Sequence, residues 1–149
     1  MRKLLVGLTA VLMGCDSTSP RNVTLLASAS ASSIQIMQPV TITLMVTNGS
    51  NENIQVTGYA CQKPFEVRNT SQALVGPAAP QVCSLELSAP MIVAPGGVGQ
   101  LQTTWTGDSA NGIADETIYV SPGIYSIRPK LMIDGVVVYG GAIGITVTQ

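Results

Sequence analysis

From Val23 onward, alternation of hydrophobic and polar residues is the dominant pattern of this chain, and this period predicts β-strands and not helices. In the clearest stretch, Val40–Asn48, four aliphatic residues alternate with three threonines and a methionine, so one face of the strand should pack on a core. Eight segments carry such a strand pattern: residues 23–29, 40–48, 54–57, 65–69, 85–87, 98–106, 124–133 and 142–148. The pattern predicts an all-β fold.

Turn residues divide these segments and predict how the last ones pair. Asp134 and Gly135 form a dipeptide suited to a two-residue hairpin turn, so we expect residues 124–133 and 136–147 to be its two arms. Pro129 lacks an N–H donor, which predicts an edge or bulged position in the first arm. Gly140, Gly141 and Gly144 predict a bend or bulge in the second arm, of the kind that rotates a strand between sheets.

Seven or eight short strands separated by turns are typical of an immunoglobulin-like antiparallel β-sandwich, which we expect over residues 23–149. A small β-barrel is the alternative. The length of the chain suits one domain with its own core, and Trp105, the only tryptophan, is expected to anchor that core.

The first residues, "MRKLLVGLTAVLMGC", have the layout of an exported segment. Arg2 and Lys3 precede an apolar run of residues 4–13, which is too short to span a bilayer. The run ends at Gly14 and Cys15 and resembles a bacterial lipobox, which implies a signal peptide over residues 1–14. A plain signal peptide is the alternative.

Lipidation of Cys15 would place this protein in the bacterial cell envelope, facing away from the cytoplasm. Several alkyl chains on one residue give stable anchoring, because each buried methylene contributes about 0.8 kcal/mol. Residues 15–22 then form a short polar tether that ends where the domain begins. Asp16 resembles a signal for retention in the inner membrane, although which membrane holds the protein is left open.

The two remaining cysteines, Cys61 and Cys83, form an even pair in a chain predicted to be exported, which favours a disulfide. The bridge would close a loop of roughly twenty residues and stabilise the fold by about 3 kcal/mol. Two free buried thiols are the alternative. Zinc is disfavoured because two thiolates cannot complete a four-ligand site and the chain has no histidine.

Four further motifs carry a resemblance to a known family: "VTNGSNENIQV" (46–56), "PFEVRN" (64–69), "VAPGGVGQLQTTWTG" (93–107) and "SPGIYSIRPKLMIDG" (121–135). Their order is similar to that of the BsuPI-type proteinase inhibitor domains over residues 38–148. The resemblance implies an immunoglobulin-like sandwich and inhibition of a protease. It assigns no inhibitory residue, and the anchor and cysteine pair depart from the intracellular inhibitor that names the family.

The residue content excludes several functions. Without histidine, neither a Ser-His-Asp nor a Cys-His catalytic arrangement can form. Without Arg2 and Lys3, the mature chain has 5 basic and 8 acidic residues, from the 7 and 8 of the whole chain. Its later basic residues are scattered along the sequence, which argues against nucleic-acid binding. They are Lys63, Arg68, Arg128 and Lys130.

One polar loop offers oxygen ligands for calcium, but its spacing departs from the EF-hand pattern because Ala110 replaces a ligand. Its candidate ligands are Asp108, Asn111, Asp115 and Glu116. An ordinary solvated loop is the preferred interpretation, so we expect no metal and no cofactor.

These observations favour a non-catalytic, lipid-anchored protein that binds another envelope or extracellular protein, with a protease as the partner that the family resemblance implies. A structural envelope spacer or assembly subunit is the alternative. An enzyme that uses a carboxylate pair is the least favoured hypothesis, since most carboxylates fall in predicted turns or on polar strand faces. The candidates are Glu52, Glu66, Glu86, Asp108, Asp115 and Glu116.

Overall fold

The computed structural model describes residues 22–57, 63–78, 89–110 and 117–149, and Cys15, Cys61 and Cys83 lie outside these ranges. The described residues form eleven strands and no helix long and apolar enough to cross a membrane. The strands are β1 (Val23–Ala29), β2 (Ser33–Gln35), β3 (Val40–Asn48), β4 (Ile54–Thr57), β5 (Phe65–Asn69), β6 (Leu74–Gly76), β7 (Met91–Val93), β8 (Val98–Trp105), β9 (Gly123–Ile133), β10 (Val136–Tyr139) and β11 (Ile143–Thr148).

Two sheets pack face to face, so the all-β sandwich prediction is confirmed. The smaller sheet has the order β1-β3-β8, and the larger has the path β2-β11-β9-β4-β7, with β5, β6 and β10 attached. Seven of the eight predicted segments are strands, within a residue at each end, and residues 85–87 lie outside the described ranges. The antiparallel prediction needs one correction, because β2 pairs with β11 in parallel.

The predicted hairpin at the end of the chain is confirmed. Ile133 pairs with Val136 across a two-residue turn. Both turn residues have positive φ, 48° for Asp134 and 80° for Gly135, as a turn that matches strand twist requires. The second arm breaks after Tyr139, as predicted, but both of its parts pair with β9. The expected transfer between sheets is therefore wrong.

Pro129 lies inside the larger sheet and not at an edge, which corrects the prediction. Strand β9 has neighbours on both sides, and Pro129 pairs with Phe65 of β5. The N–H of Lys130 donates to the Pro64 carbonyl on that side, whereas the Pro129 carbonyl accepts from Gly140 on the other. In an antiparallel ladder the N–H and C=O of one residue point toward the same neighbouring strand. The Pro129 nitrogen, which carries no hydrogen, therefore faces the break between β10 and β11.

The core between the sheets is anchored by Trp105, as predicted, and this side chain is fully buried. Its indole N–H donates to the Asp108 carbonyl at 3.0 Å, and its ring meets Tyr125 edge to face at 6.2 Å. The Tyr125 hydroxyl donates to the Ser121 carbonyl at 2.6 Å. A tyrosine near a strand start that bonds back to the upstream backbone is the tyrosine corner of immunoglobulin-like sandwiches.

The Asn48 side chain is fully buried at one end of the sandwich, where it joins the β3–β4 turn to the end of β7. Its amide nitrogen donates to the carbonyls of Glu52 (2.7 Å) and Val93 (2.9 Å), while its amide oxygen accepts from the backbone and hydroxyl of Ser50. A buried amide is stable only when so paired. The β3–β4 turn is thereby held in place beside the end of β7.

Gly140 provides the contact between the hairpin and β1 and generates a matched pair of predictions. A Cβ at Gly140 would lie 2.3 Å from the Leu25 carbonyl oxygen, whereas one at Gly141 would have no atom within 4 Å. We expect Gly140→Ala to destabilise the fold by about 1–3 kcal/mol through overpacking. Gly141→Ala should be neutral or stabilising by up to about 1 kcal/mol. Denaturant unfolding measures both, and equal effects would contradict this packing.

Candidate functional site

The outer face of the larger sheet gathers three of the four basic residues in the described ranges. Glu66 and Arg68 lie on β5, Arg128 and Lys130 on β9, and Tyr139 on β10. Glu66 is opposite Arg128 and Lys130 is opposite Tyr139 in the strand register. Because side chains alternate between faces, all five project from the same side of the sheet, away from the core. We call these five residues the basic–aromatic face.

Glu66 is the centre of the basic–aromatic face and is only 8% exposed. Its carboxylate contacts Arg68 Nη2 at 2.8 Å and Lys130 Nζ at 3.2 Å, and the Tyr139 hydroxyl donates to it at a longer 3.4 Å. Burial alone would raise the pKa of Glu66, but hydrogen bonds from Arg68 and Lys130 outweigh burial and lower it. Bonding to Glu66 in turn raises the pKa of Lys130, so both groups are charged at neutral pH.

Arg128 has a different environment from the other two cations. Its guanidinium carbon lies 4.4 Å from the centroid of the Tyr139 ring, a cation–π distance. It is exposed, and no carboxylate in the described part of the chain pairs with it. With three cations and one carboxylate, the basic–aromatic face has a net charge of +2, although the whole chain has a formal net charge of −1. This arrangement can attract and bind an anionic group.

The other carboxylates proposed from sequence have separate environments. Asp108 is buried and structural, since its carboxylate accepts hydrogen bonds from Ala78 N–H (2.8 Å) and from the backbone and hydroxyl of Thr106. The other candidate calcium ligands, and Glu86, lie outside the described ranges. Within those ranges no three Asp, Glu or Cys side chains gather to hold a metal ion.

A polar cleft of about 450 Å³ lies at the end of the sandwich where β1 begins. It is lined by Asn22, the β3–β4 turn and Asp134, with Glu52 on its wall. Asp134 Oδ1 is already engaged, because it accepts from the Gln55 backbone N–H at 2.8 Å. The cleft brings two carboxylate residues to one opening, but it has neither a cation nor an aromatic ring in its lining.

The outer face of the smaller sheet contrasts with the basic–aromatic face. Its outward residues on β1, β3 and β8 are uncharged, mostly threonine and glutamine, with three exposed apolar side chains among them. Those three are Leu26, Met45 and Val98. Lys63 contacts this sheet by donating from its ammonium group to the Thr104 carbonyl. The sandwich therefore has one charged and one uncharged broad face.

The basic residues are scattered along the sequence, but three of them lie together in the folded chain, which corrects the prediction. Arg128 and Lys130 are two positions apart on a predicted strand, as are Glu66 and Arg68, so each pair had to share a face. This spacing was the available signal. What the sequence did not show was that β5, β9 and β10 are neighbours, which brings both pairs and Tyr139 together.

No family profile and no curated protein matches this chain. Its fold is similar to part of the Pseudomonas fluorescens alkylpurine DNA glycosylase AlkC, solved with DNA containing an abasic-site analogue: TM-score 0.51, 6% identity, covering 85% of this chain and 30% of that one. A β-glucosidase from Erythrobacter marinus is similar at a TM-score of 0.50 and 14% identity, covering 85% of this chain and 15% of the other. This chain spans less than a third of either protein, and at such identities the likeness shows the fold alone.

The ion pairs of Glu66 predict an acid-sensitive contribution to stability. Because the pKa of Glu66 is lowered in the folded state, its contribution is fully present above its ordinary, unfolded pKa and is lost as pH falls through the lowered folded value. Glu66→Gln should cost about 1 kcal/mol of unfolding free energy at pH 7 and less at pH 3. Glu52→Gln, at an exposed turn position, is the control and should change stability by less than about 0.5 kcal/mol. A Glu66→Gln cost that is the same at both pH values would contradict the ion-pair account.

Proposed function

We propose that this chain is a non-catalytic, lipid-anchored protein of the bacterial cell envelope, whose immunoglobulin-like domain binds another envelope or extracellular protein. The observation that carries the proposal is the basic–aromatic face, an exposed cluster of charge and aromatic surface on the rigid larger sheet. Strand-borne side chains hold a more defined geometry than loop-borne ones, which suits a preformed binding surface.

The composition of the basic–aromatic face supports binding to a protein. Tyrosine and arginine are enriched at protein interfaces and dominate their energetically important positions. Tyr139 is 41% exposed, and Val137, on the same strand and the same face, is 44% exposed. Apolar and aromatic surface beside unpaired positive charge can bury area and orient an acidic partner at the same time.

The N-terminal segment supports the anchored location. Lipidation of Cys15 would leave a tether of residues 15–22, which spans at most about 25 Å when fully extended. The domain would then stay close to the membrane surface. Its partner would be a membrane protein, or a protein that reaches the same layer.

The anchor and the binding face can be tested together in cells. We expect metabolic labelling with an alkyne fatty acid to mark the protein, and Cys15→Ser to abolish the label because no thioether can form. A photo-crosslinking amino acid in place of Val137 should yield a defined adduct with one protein. The same amino acid in place of Met45, which is 41% exposed on the uncharged face, is the matched control.

Each outcome of this experiment has a separate meaning. Unchanged labelling of Cys15→Ser would overturn the lipid anchor. Identical adducts with abundant neighbours from both positions would overturn specific binding and favour the envelope spacer. A defined adduct from Val137 alone would support the binding role.

Inhibition of a protease is the narrower form of this proposal and rests on the resemblance to BsuPI-type domains. We expect the purified mature chain, with Cys15→Ser for solubility, to inhibit at least one protease in a broad serine-protease panel. Progress curves with and without the chain measure the effect, and heat-unfolded chain is the control. No inhibition across the panel would remove this narrower function and leave the binding proposal standing.

A further inference from the structure

We infer that Arg128 is the principal contact for a carboxylate of the partner, so that the partner presents an acidic, strand-like or loop segment to the basic–aromatic face. This inference rests on the proposed binding function and names the chemistry of the partner. Arg128 is better suited to bind the carboxylate of a partner than Arg68 and Lys130, the other two cations of the face.

The Arg128 guanidinium is restrained by an aromatic ring but pairs with no carboxylate in the described part of the chain. Stacking on Tyr139 at 4.4 Å restrains the guanidinium, while its N–H donors have no carboxylate partner in the described ranges. An arginine fork matches the two oxygens of a carboxylate, and restraint before binding lowers the entropy lost on binding. The residue is therefore preorganised as a donor for an incoming anion.

The other two cations are already engaged. Arg68 contacts Glu66 at 2.8 Å and also donates to the Gln72 carbonyl at 2.8 Å. Lys130 contacts Glu66 at 3.2 Å and lies 5.8 Å from the Tyr139 ring centroid. Both therefore raise the local positive potential while keeping Glu66 neutralised, and the partner's carboxylate meets Arg128 with little competition.

The shape and composition of the face favour a protein over a small molecule or a membrane. The five side chains project from three neighbouring strands of one sheet, and such a surface suits an extended partner better than a small molecule, which needs a concave site. A membrane would gain about 1 kcal/mol for each basic residue near its surface, but Arg68 and Lys130 are already paired with Glu66, which leaves only Arg128 for the lipid. An acidic protein segment can place its carboxylate at Arg128 and leave Glu66 to its own two cations.

A peptide titration tests this assignment. The probes are a short peptide in which glutamate alternates with valine and its glutamine-for-glutamate counterpart, titrated into the mature chain carrying Cys15→Ser. Heteronuclear NMR follows the shifts of residues on β5, β9 and β10. We expect the acidic peptide to bind at this face, with affinity falling as salt rises, and the glutamine peptide to bind at least about 10-fold more weakly.

Single substitutions distinguish a specific contact with Arg128 from general electrostatic attraction. Arg128→Gln should weaken binding of the acidic peptide by about 10-fold or more, because a charge-assisted paired contact is lost. Lys63→Gln also removes one positive charge, but from a side chain that contacts the smaller sheet. It should change the affinity for the acidic peptide by less than about 2-fold. Glu66→Gln should tighten binding, since the face gains a net positive charge. Thermal melts confirm that each variant is folded, and Arg128→Lys keeps the charge if Arg128→Gln fails to fold.

Three results with the purified protein would overturn the inference: no binding of the acidic peptide, equal loss of affinity in Arg128→Gln and Lys63→Gln, or Arg128-dependent binding to anionic phospholipid vesicles that exceeds binding to the peptide. The last would assign the face to a lipid surface instead. A Val137 adduct that survives Arg128→Gln in cells would also overturn it while leaving the binding function intact. Absence of the fatty-acid label in cells would instead overturn the anchor and leave the peptide result unaffected.

Discussion

Alternation of side chains along β9 is the constraint on which the rest of the structure depends. This strand pairs with β4 and β5 on one side and with β10 and β11 on the other. Its inward residues, including Ile127 and Ile133, are fully buried, and its outward residues include Arg128 and Lys130. A shift of one position would bury the cations and expose the core, so the same register fixes both the fold and the basic–aromatic face.

Contacts away from this face keep the two sheets and their turns in one arrangement. Gly140 allows the hairpin to approach the backbone of β1 at Leu25, and Asn48 joins the β3–β4 turn to the end of β7. At the other end, Asp108 connects Trp105, Thr106 and the backbone of Ala78. These polar groups are buried but paired, so they add definition to the fold without leaving unsatisfied atoms. The strands that carry the basic–aromatic face are therefore held by buried contacts at both ends of the sandwich.

Local patterns in the sequence predicted the strands because burial of one face imposes a period of two on them. They also predicted the Asp134-Gly135 turn and the burial of Trp105, since each of these depends on residues close together in the chain or on hydrophobicity alone. The position of Pro129 was predicted incorrectly, because the break that accommodates its missing donor lies on a neighbouring strand. The parallel pairing of β2 depends likewise on a partner more than a hundred residues later.

The basic–aromatic face was not predicted, for the same reason. Arg68, Arg128 and Tyr139 are far apart in sequence, and only the pairing of β5, β9 and β10 places them side by side. Sequence spacing indicated which residues share a face of one strand, but strand order and register across the sheet are tertiary properties. The lipid anchor, in contrast, depends on a contiguous signal and remains a proposal from sequence.

The fold holds the Arg128 guanidinium against the Tyr139 ring in the free protein. NMR of the side-chain protons of Arg128 in the folded domain tests this contact most directly. The stacking predicts that these protons are shifted upfield by the aromatic ring current and return to ordinary values in Tyr139→Leu. Ordinary shifts in the unsubstituted protein, unchanged by Tyr139→Leu, would show a freely moving side chain and contradict the stacking of Arg128 on Tyr139.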